Sequence, residues 1–106
     1  MMVSEGNKIT EIKKVISNFL PESEVIMFGS RARGDNQINS DYDFLVVSKD
    51  PMDDHQRLHF QALIRKSLAK LCILADIIIQ SRNDIEAKSN LPGHIVRSAM
   101  KEGVYV

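Results

Sequence analysis

The segment LCILADIIIQ, residues 71–80, constrains the fold more than any other part of the chain. It is apolar almost throughout and rich in β-branched side chains, the pattern of a strand covered on both faces. Such a strand is expected at the centre of a sheet, with helices above and below it. Asp76 interrupts it where every neighbour has reason to be apolar. A charge in that setting costs several kcal/mol unless it is paired or bound to a metal.

The remaining segments supply what that strand needs. Residues 8–20 place Ile9, Ile12, Ile16, Phe19 and Leu20 on one helical face, and Pro21 ends the pattern. EVIMF (24–28) is a short apolar strand closed by Gly29, and DYDFLVVS (41–48) is a second. Asp50-Pro51 followed by Asp53 and Asp54 predicts a helix start with proline in the first position and acids in the first turn. That helix carries Phe60, Ile64, Leu68 and Leu71 on one stripe, with Arg65, Lys66 and Lys70 as a solvated end. A polar segment leads to a last helix over 92–102, closed by Gly103 before VYV. The order helix, strand, strand, helix, strand, helix predicts an α/β (α+β) fold, a small mixed sheet backed by helices. No repeat, low-complexity tract or linker interrupts it, so residues 1–106 are expected to form one domain.

Charge and composition narrow the functional classes. Fourteen basic residues match fourteen acidic ones. Without a basic excess or stripe, direct nucleic-acid binding is not expected. No apolar run approaches the ~20 residues that cross a bilayer, and the start MMVSEGNK lacks a secretory apolar region. The single cysteine, Cys72, lies in an apolar run and reads as a small buried hydrophobe in a reducing, cytoplasmic setting. His55, His59 and His94 form no metal-ligand set by spacing.

The chemistry concentrates in FGSRARGDNQINSDYDFLVV, residues 28–47. A strand that runs into Gly29-Ser30 and then a helix start presents unpaired backbone N–H groups. Gly29 lets a ligand approach the backbone closely, Ser30 adds a hydroxyl, and the corner favours anionic oxygens such as phosphate. A plain turn is the alternative. Asp41 and Asp43 are two apart at a strand start, so they share a face, roughly 6–7 Å apart at Cα, while Tyr42 and Phe44 point into the core. Two carboxylates facing one gap suit Mg²⁺, whose remaining positions take water and phosphate oxygens; a solvated strand end is the alternative. If the strand holding Asp76 neighbours that of Asp41 and Asp43, the third acid joins them at a spacing of about 4.8 Å. A salt bridge from Asp76 to Arg33 is the competing reading. Arg31 and Arg33 either neutralise phosphate or brace the carboxylates from behind.

FGS, then DYDF, then an aspartate in an apolar strand resembles the DNA polymerase beta-like nucleotidyltransferase superfamily. GSRARG…SDYDFLVV with the tail GHIVRSAMKEGVYV resembles, more narrowly, the minimal nucleotidyltransferases of the MNT type. The resemblance implies the polymerase beta-like nucleotidyltransferase fold. It implies that Gly29 and Ser30 hold the triphosphate of ATP, and that Asp41 and Asp43 bind catalytic Mg²⁺. Asp76 would complete a second Mg²⁺ site and help to deprotonate an acceptor hydroxyl. The implied reaction moves AMP from ATP to that hydroxyl and releases pyrophosphate. Larger relatives add a domain that grips the acceptor; here a second copy of the chain or another protein is expected to provide that surface. The resemblance points to the antitoxin of a HEPN/MNT toxin–antitoxin pair, which adenylylates a tyrosine of a HEPN-type toxin. A non-catalytic antitoxin acting by occlusion, and an enzyme with a small-molecule acceptor like the aminoglycoside nucleotidyltransferases, are the alternatives.

Overall fold

Strand β2 (Tyr42–Ser48) is apolar on both faces, and the rest of the domain is arranged to cover them. The computed structural model describes residues 5–106. The elements run α1 (Glu5–Phe19), β1 (Glu24–Phe28), α2 (Ser30–Arg33), β2, α3 (Asp54–Lys70), β3 (Ala75–Ser81), α4 (Arg82–Lys88), α5 (Ile95–Glu102) and β4 (Val104–Tyr105). The strands form one mixed sheet in the order β3-β2-β1-β4. β1 is antiparallel to β2 and β4, and β2 is parallel to β3. The parallel pair needs a crossover, and α3 provides it.

Period two sorts the β2 side chains between two layers. Tyr42, Phe44 and Val46 face one way and pack with Ile77 and Ile79 of β3 against Ile12 and Ile16 of α1 and Ile64 and Leu68 of α3. Leu45 and Val47 face the other way, with Ile26 and Phe28 of β1, beneath Ala99 of α5 and the partly buried Ile85 of α4. Burying each such side chain fully contributes roughly 1.5–3 kcal/mol, so the two layers hold the sheet from both sides. The helical stripes expected over 8–20 and 60–71 are these faces, except that Leu71 lies beyond the end of α3 and is exposed. Among the described residues no helix is long and apolar enough to cross a membrane. The expectation for residues 1–4, at the start of the chain, lies outside the described residues.

Several boundaries and placements differ from expectation. The strand expected over 71–80 runs from Ala75 to Ser81, and it lies at the edge of the sheet rather than its centre. Its apolar character follows from cover on both faces, which an edge strand under helices shares with a central one. The outward N–H of Ile79 is not left open: it donates to Gln61 Oε1 of α3 at 2.9 Å. Leu71, Cys72 and Leu74 belong to the α3–β3 connection, where Leu74 is 65% exposed. Cys72 adopts φ 60° in that turn and is exposed, not buried. The turn forms because the N–H groups of Leu71, Cys72 and Ile73 fold back onto the carbonyls of Leu68 and Ala69.

Helix α3 begins later than the proline suggests. Asp53 is the N-cap, in a capping box with Gln56, and Pro51 lies outside the helix. The polar segment after β3 contains α4, opened by a Ser81/Asp84 capping box. The last helix starts at Ile95, because His94 caps it by accepting the Val96 N–H on Nδ1 at 3.1 Å.

Candidate active site

The site grows from the end of β1. Its antiparallel register sets Phe28 opposite Asp43, which brings the next residue, Gly29, against the Asp43 side chain. Gly29 has φ 75°, ψ −158°, and a Cβ there would collide with Asp43 Oδ2. Only glycine meets both demands. The chain then turns into α2, whose first bonds run from the Ala32 and Arg33 N–H groups to the Gly29 carbonyl at 3.1 and 3.0 Å. Ser30 is the first residue of α2, at the corner where the sequence places it.

Asp43 and Asp76 are Cα partners across the parallel β2–β3 pair. Partners in a ladder share a face, so both carboxylates leave the sheet on the side of Gly29. Asp41 precedes β2 by one residue and is exposed. Partial burial is the main cause that raises the Asp43 pKa, and the charges of Asp76 and then Asp41 raise it further. Arg33 pulls the other way, more weakly. The three acids are thus electrically adjacent.

Asp76 itself is exposed near the beginning of β3. The burial penalty expected for it is therefore not what marks it; its register position is. Among the described residues Asp76 forms no salt bridge, and Arg33 does not pair with it.

The arginines divide. The Arg31 Nη2 donates to the Ser40 carbonyl at 2.8 Å and to that of Ile38 at 3.4 Å, while its Nε donates to Ser40 at 3.2 Å. Its guanidinium also lies 4.4 Å from the Tyr42 ring centroid, a cation–π contact. Arg31 braces the loop leading into Asp41 and Asp43. Arg33 donates from Nε to Asp35 Oδ2 and from Nη1 to Glu102 Oε1, both at 3.1 Å. Those hydrogen bonds, the Asp35 one foremost, raise its pKa further above the ordinary arginine value.

Glu102 is the residue that sequence reasoning missed. It closes α5, and besides Arg33 it accepts the Gly29 N–H on Oε1 at 3.3 Å. No local pattern signals a contact spanning 73 positions. The only hint is an acid at a helix C-terminus, where the dipole disfavours one.

The nucleotidyltransferase domain profile matches residues 9–106. The chain belongs to the nucleotidyltransferase domain family. The domain is also similar in structure to a candidate nucleotidyltransferase of Sulfolobus solfataricus, at TM-score 0.64 and 26% identity over 92% of this chain and 75% of the other. It is similar to a chain of a toxin–antitoxin complex with AMP-PNP, at TM-score 0.60 and 21% identity, over 96% and 72%. A third similar chain comes from tri-AMPylated Shewanella oneidensis HEPN toxin in complex with MNT antitoxin, at TM-score 0.61 and 16% identity, over 96% and 71%. With the last two the likeness is one of fold. No protein of curated function matches this nucleotidyltransferase domain.

The donor set of the domain fits a hard divalent cation in kind: carboxylate oxygens from two adjoining strands, whose repulsion at Asp43 a cation relieves. As the side chains stand, no three His, Cys, Asp or Glu residues among the described ones close around a single point. A groove of about 330 Å³ borders Asp41, lined in part by Arg31, Ser40, Tyr42 and the exposed Ile38 and Leu74.

Proposed function

We propose that this domain is a Mg²⁺-dependent adenylyltransferase that moves AMP from ATP to the hydroxyl of a tyrosine on a HEPN-type toxin. The observation that carries the reading is the pairing of Asp43 with Asp76, beside a glycine pressed against Asp43. In this reading Asp41, Asp43 and Asp76 hold the metal, two ions in all, and Gly29, Ser30 and Arg33 receive the triphosphate tail. A divalent ion bound there supplies Lewis acidity to the phosphoryl oxygens and lowers the pKa of the acceptor hydroxyl.

The chain's own residues do the rest. Gly29 lets the phosphates approach the backbone, and Arg33 offers guanidinium donors to the leaving pyrophosphate. Asp76 accepts the acceptor's proton as its oxygen bonds to the α-phosphorus and the bond to the bridging oxygen breaks. Arg31 keeps the 36–40 loop in place. Alignment and charge account for most of such catalysis.

The acceptor is supported by likeness of fold to proteins described as toxin–antitoxin complexes, one with AMP-PNP and one with an AMPylated HEPN toxin. The groove beside Asp41, with Ile38 and Leu74 exposed, offers a partner an apolar approach to the carboxylates. In this reading the protein acts in the cytoplasm.

The deciding experiment incubates the native chain and Asp41→Asn with labelled ATP, Mg²⁺ and a HEPN-type toxin. Label on a toxin tyrosine that the variant fails to add supports the transfer. Full neutralisation of the toxin by the variant, with no label from the native chain, supports occlusion instead. Label on an aminoglycoside and none on the toxin would move the acceptor to a small molecule.

A further inference from the structure

The donors that a phosphate would use at the β1–α2 corner already have a partner. One atom, Glu102 Oε1, accepts both the Gly29 N–H at 3.3 Å and Arg33 Nη1 at 3.1 Å. It is a negatively charged oxygen supplied by the chain's own last helix. We infer that Glu102 is a displaceable occupant of this corner, a carboxylate that a polyphosphate must expel, and so a residue that sets which anions bind. The inference rests on the reading of Gly29 and Arg33 as phosphate ligands.

Three features make the occupancy reversible. The Gly29 bond is longer than the usual 2.9–3.0 Å mode, so it is a weak one. Water reaches both partners: the Arg33 and Glu102 side chains are 47% and 32% exposed. The backbone of α5 does not depend on the contact either. Val96 and Ala99 are buried, and the Gly103 N–H donates to the Ala99 carbonyl at 2.8 Å. A Cβ on Gly103 would strike that carbonyl and Ile26, so the helix end is seated closely on β1. Glu102 can swing out by side-chain rotation alone.

Displacement has a consequence for ligand class. Arg33 keeps its Nε on Asp35 while Nη1 is released, so the guanidinium stays oriented. A singly charged anion gains little over the carboxylate it replaces, and it meets the repulsion of Asp43 as well. A triphosphate carries several charges and arrives with its cation, so it can outcompete Glu102 where a monoanion cannot. Glu102 thereby favours nucleoside triphosphates over simple carboxylates and other monoanions.

The test is calorimetric titration of AMP-PNP with Mg²⁺ into the native chain, Glu102→Gln and Glu102→Ala, each checked for native circular dichroism. Both variants are expected to bind AMP-PNP about two- to fivefold more tightly, the scale of one exposed ion pair. Equal or weaker binding by the folded variants, with the native chain binding normally, overturns the displacement and leaves the phosphate reading standing. No binding by any of the three overturns the phosphate reading and the inference together. Should both variants misfold, the native chain still decides: the Glu102 side-chain carboxyl NMR signal shifts when AMP-PNP is added, and a signal that stays in place overturns the displacement.

Discussion

Asp43 and Asp76 sit opposite each other across the parallel β2–β3 ladder, two like charges on one face with partial burial at the first. Folding alone gives no reason for that arrangement, because it leaves Asp43 harder to ionise than in the unfolded chain. Its pKa lies above the ordinary 3.8. Between that value and the folded one, the native state keeps a proton that the unfolded state has released. Stability therefore falls as pH rises through the window, and the loss is complete above the folded pKa. Asp43→Asn removes the ionising group. It is expected to raise the melting temperature at neutral pH and to abolish transfer, and its stabilising effect should fade as pH drops below 3.8. Thermal scans of both proteins from acid to neutral pH check the sign.

Metal should relieve the same repulsion. Adding Mg²⁺ to the native chain is expected to raise its melting temperature, and EDTA to reverse the gain, because a ligand that binds only the folded state stabilises it. Asp76→Asn should lose the response and lower transfer by about 10²-fold or more. A melting temperature indifferent to Mg²⁺ at millimolar concentrations would tell against metal at these carboxylates.

Gly29 permits a direct substitution test of the corner. Gly29→Ala places a methyl on Asp43 Oδ2 at a backbone φ of 75°, which L-residues rarely adopt. The strain should destabilise the protein by about 1–3 kcal/mol, measured by urea unfolding, and transfer should fall beyond what the lost stability explains. The double substitution Gly29→Ala with Asp43→Gly clears the collision but not the φ strain, so it should recover only part of the stability and none of the activity.

The two roles offered for Arg31 make opposite forecasts. As a brace it holds the carbonyls of Ile38 and Ser40 with a planar fork that lysine cannot reproduce. Arg31→Lys should speed hydrogen exchange of amides in the 36–40 loop and lower the transfer rate, while AMP-PNP affinity stays within about twofold. A phosphate ligand would behave the other way, with affinity lost in Arg31→Ala and largely kept in Arg31→Lys.

Much of this was legible in residue types and spacing, and the omissions share a cause. The two-residue interval of Asp41 and Asp43 was legible because strand period is a local property; the register that sets Asp76 opposite Asp43 is not local, and the sequence offered it only as a condition. The apolar run announced cover on both faces correctly from Ile77 onward, and wrongly for Leu71, Cys72 and Leu74. It could not announce the lateral place of β3, since helices can shield an edge strand as fully as a central one. Cys72 and Leu74 were misread because apolar residues in a short connection look like strand when only composition is consulted. Helix α4 had a signal in Ser81 and Asp84, a capping box hidden by the polar sequence around it. Glu102 had only a faint one, an acid at a helix C-terminus: its partners are Gly29 and Arg33, and only the fold brings them together.

The edge position of β3 leads to a test of how the fold protects itself. An edge strand offers unpaired N–H groups to other chains, and here the Ile79 N–H is taken by Gln61 Oε1 from α3, 18 positions earlier. The bond is partly buried, so removing the acceptor leaves the donor without water to replace it fully. Gln61→Leu preserves the bulk and removes the oxygen, and it should cost about 1–3 kcal/mol in urea unfolding. Gln61→Glu keeps an acceptor in reach and should restore most of that loss near neutral pH. If Leu and Glu behave alike, side-chain packing rather than the hydrogen bond fixes α3 over the edge. If only Leu also increases self-association on concentration, the glutamine both stabilises β3 and blocks pairing along its open side.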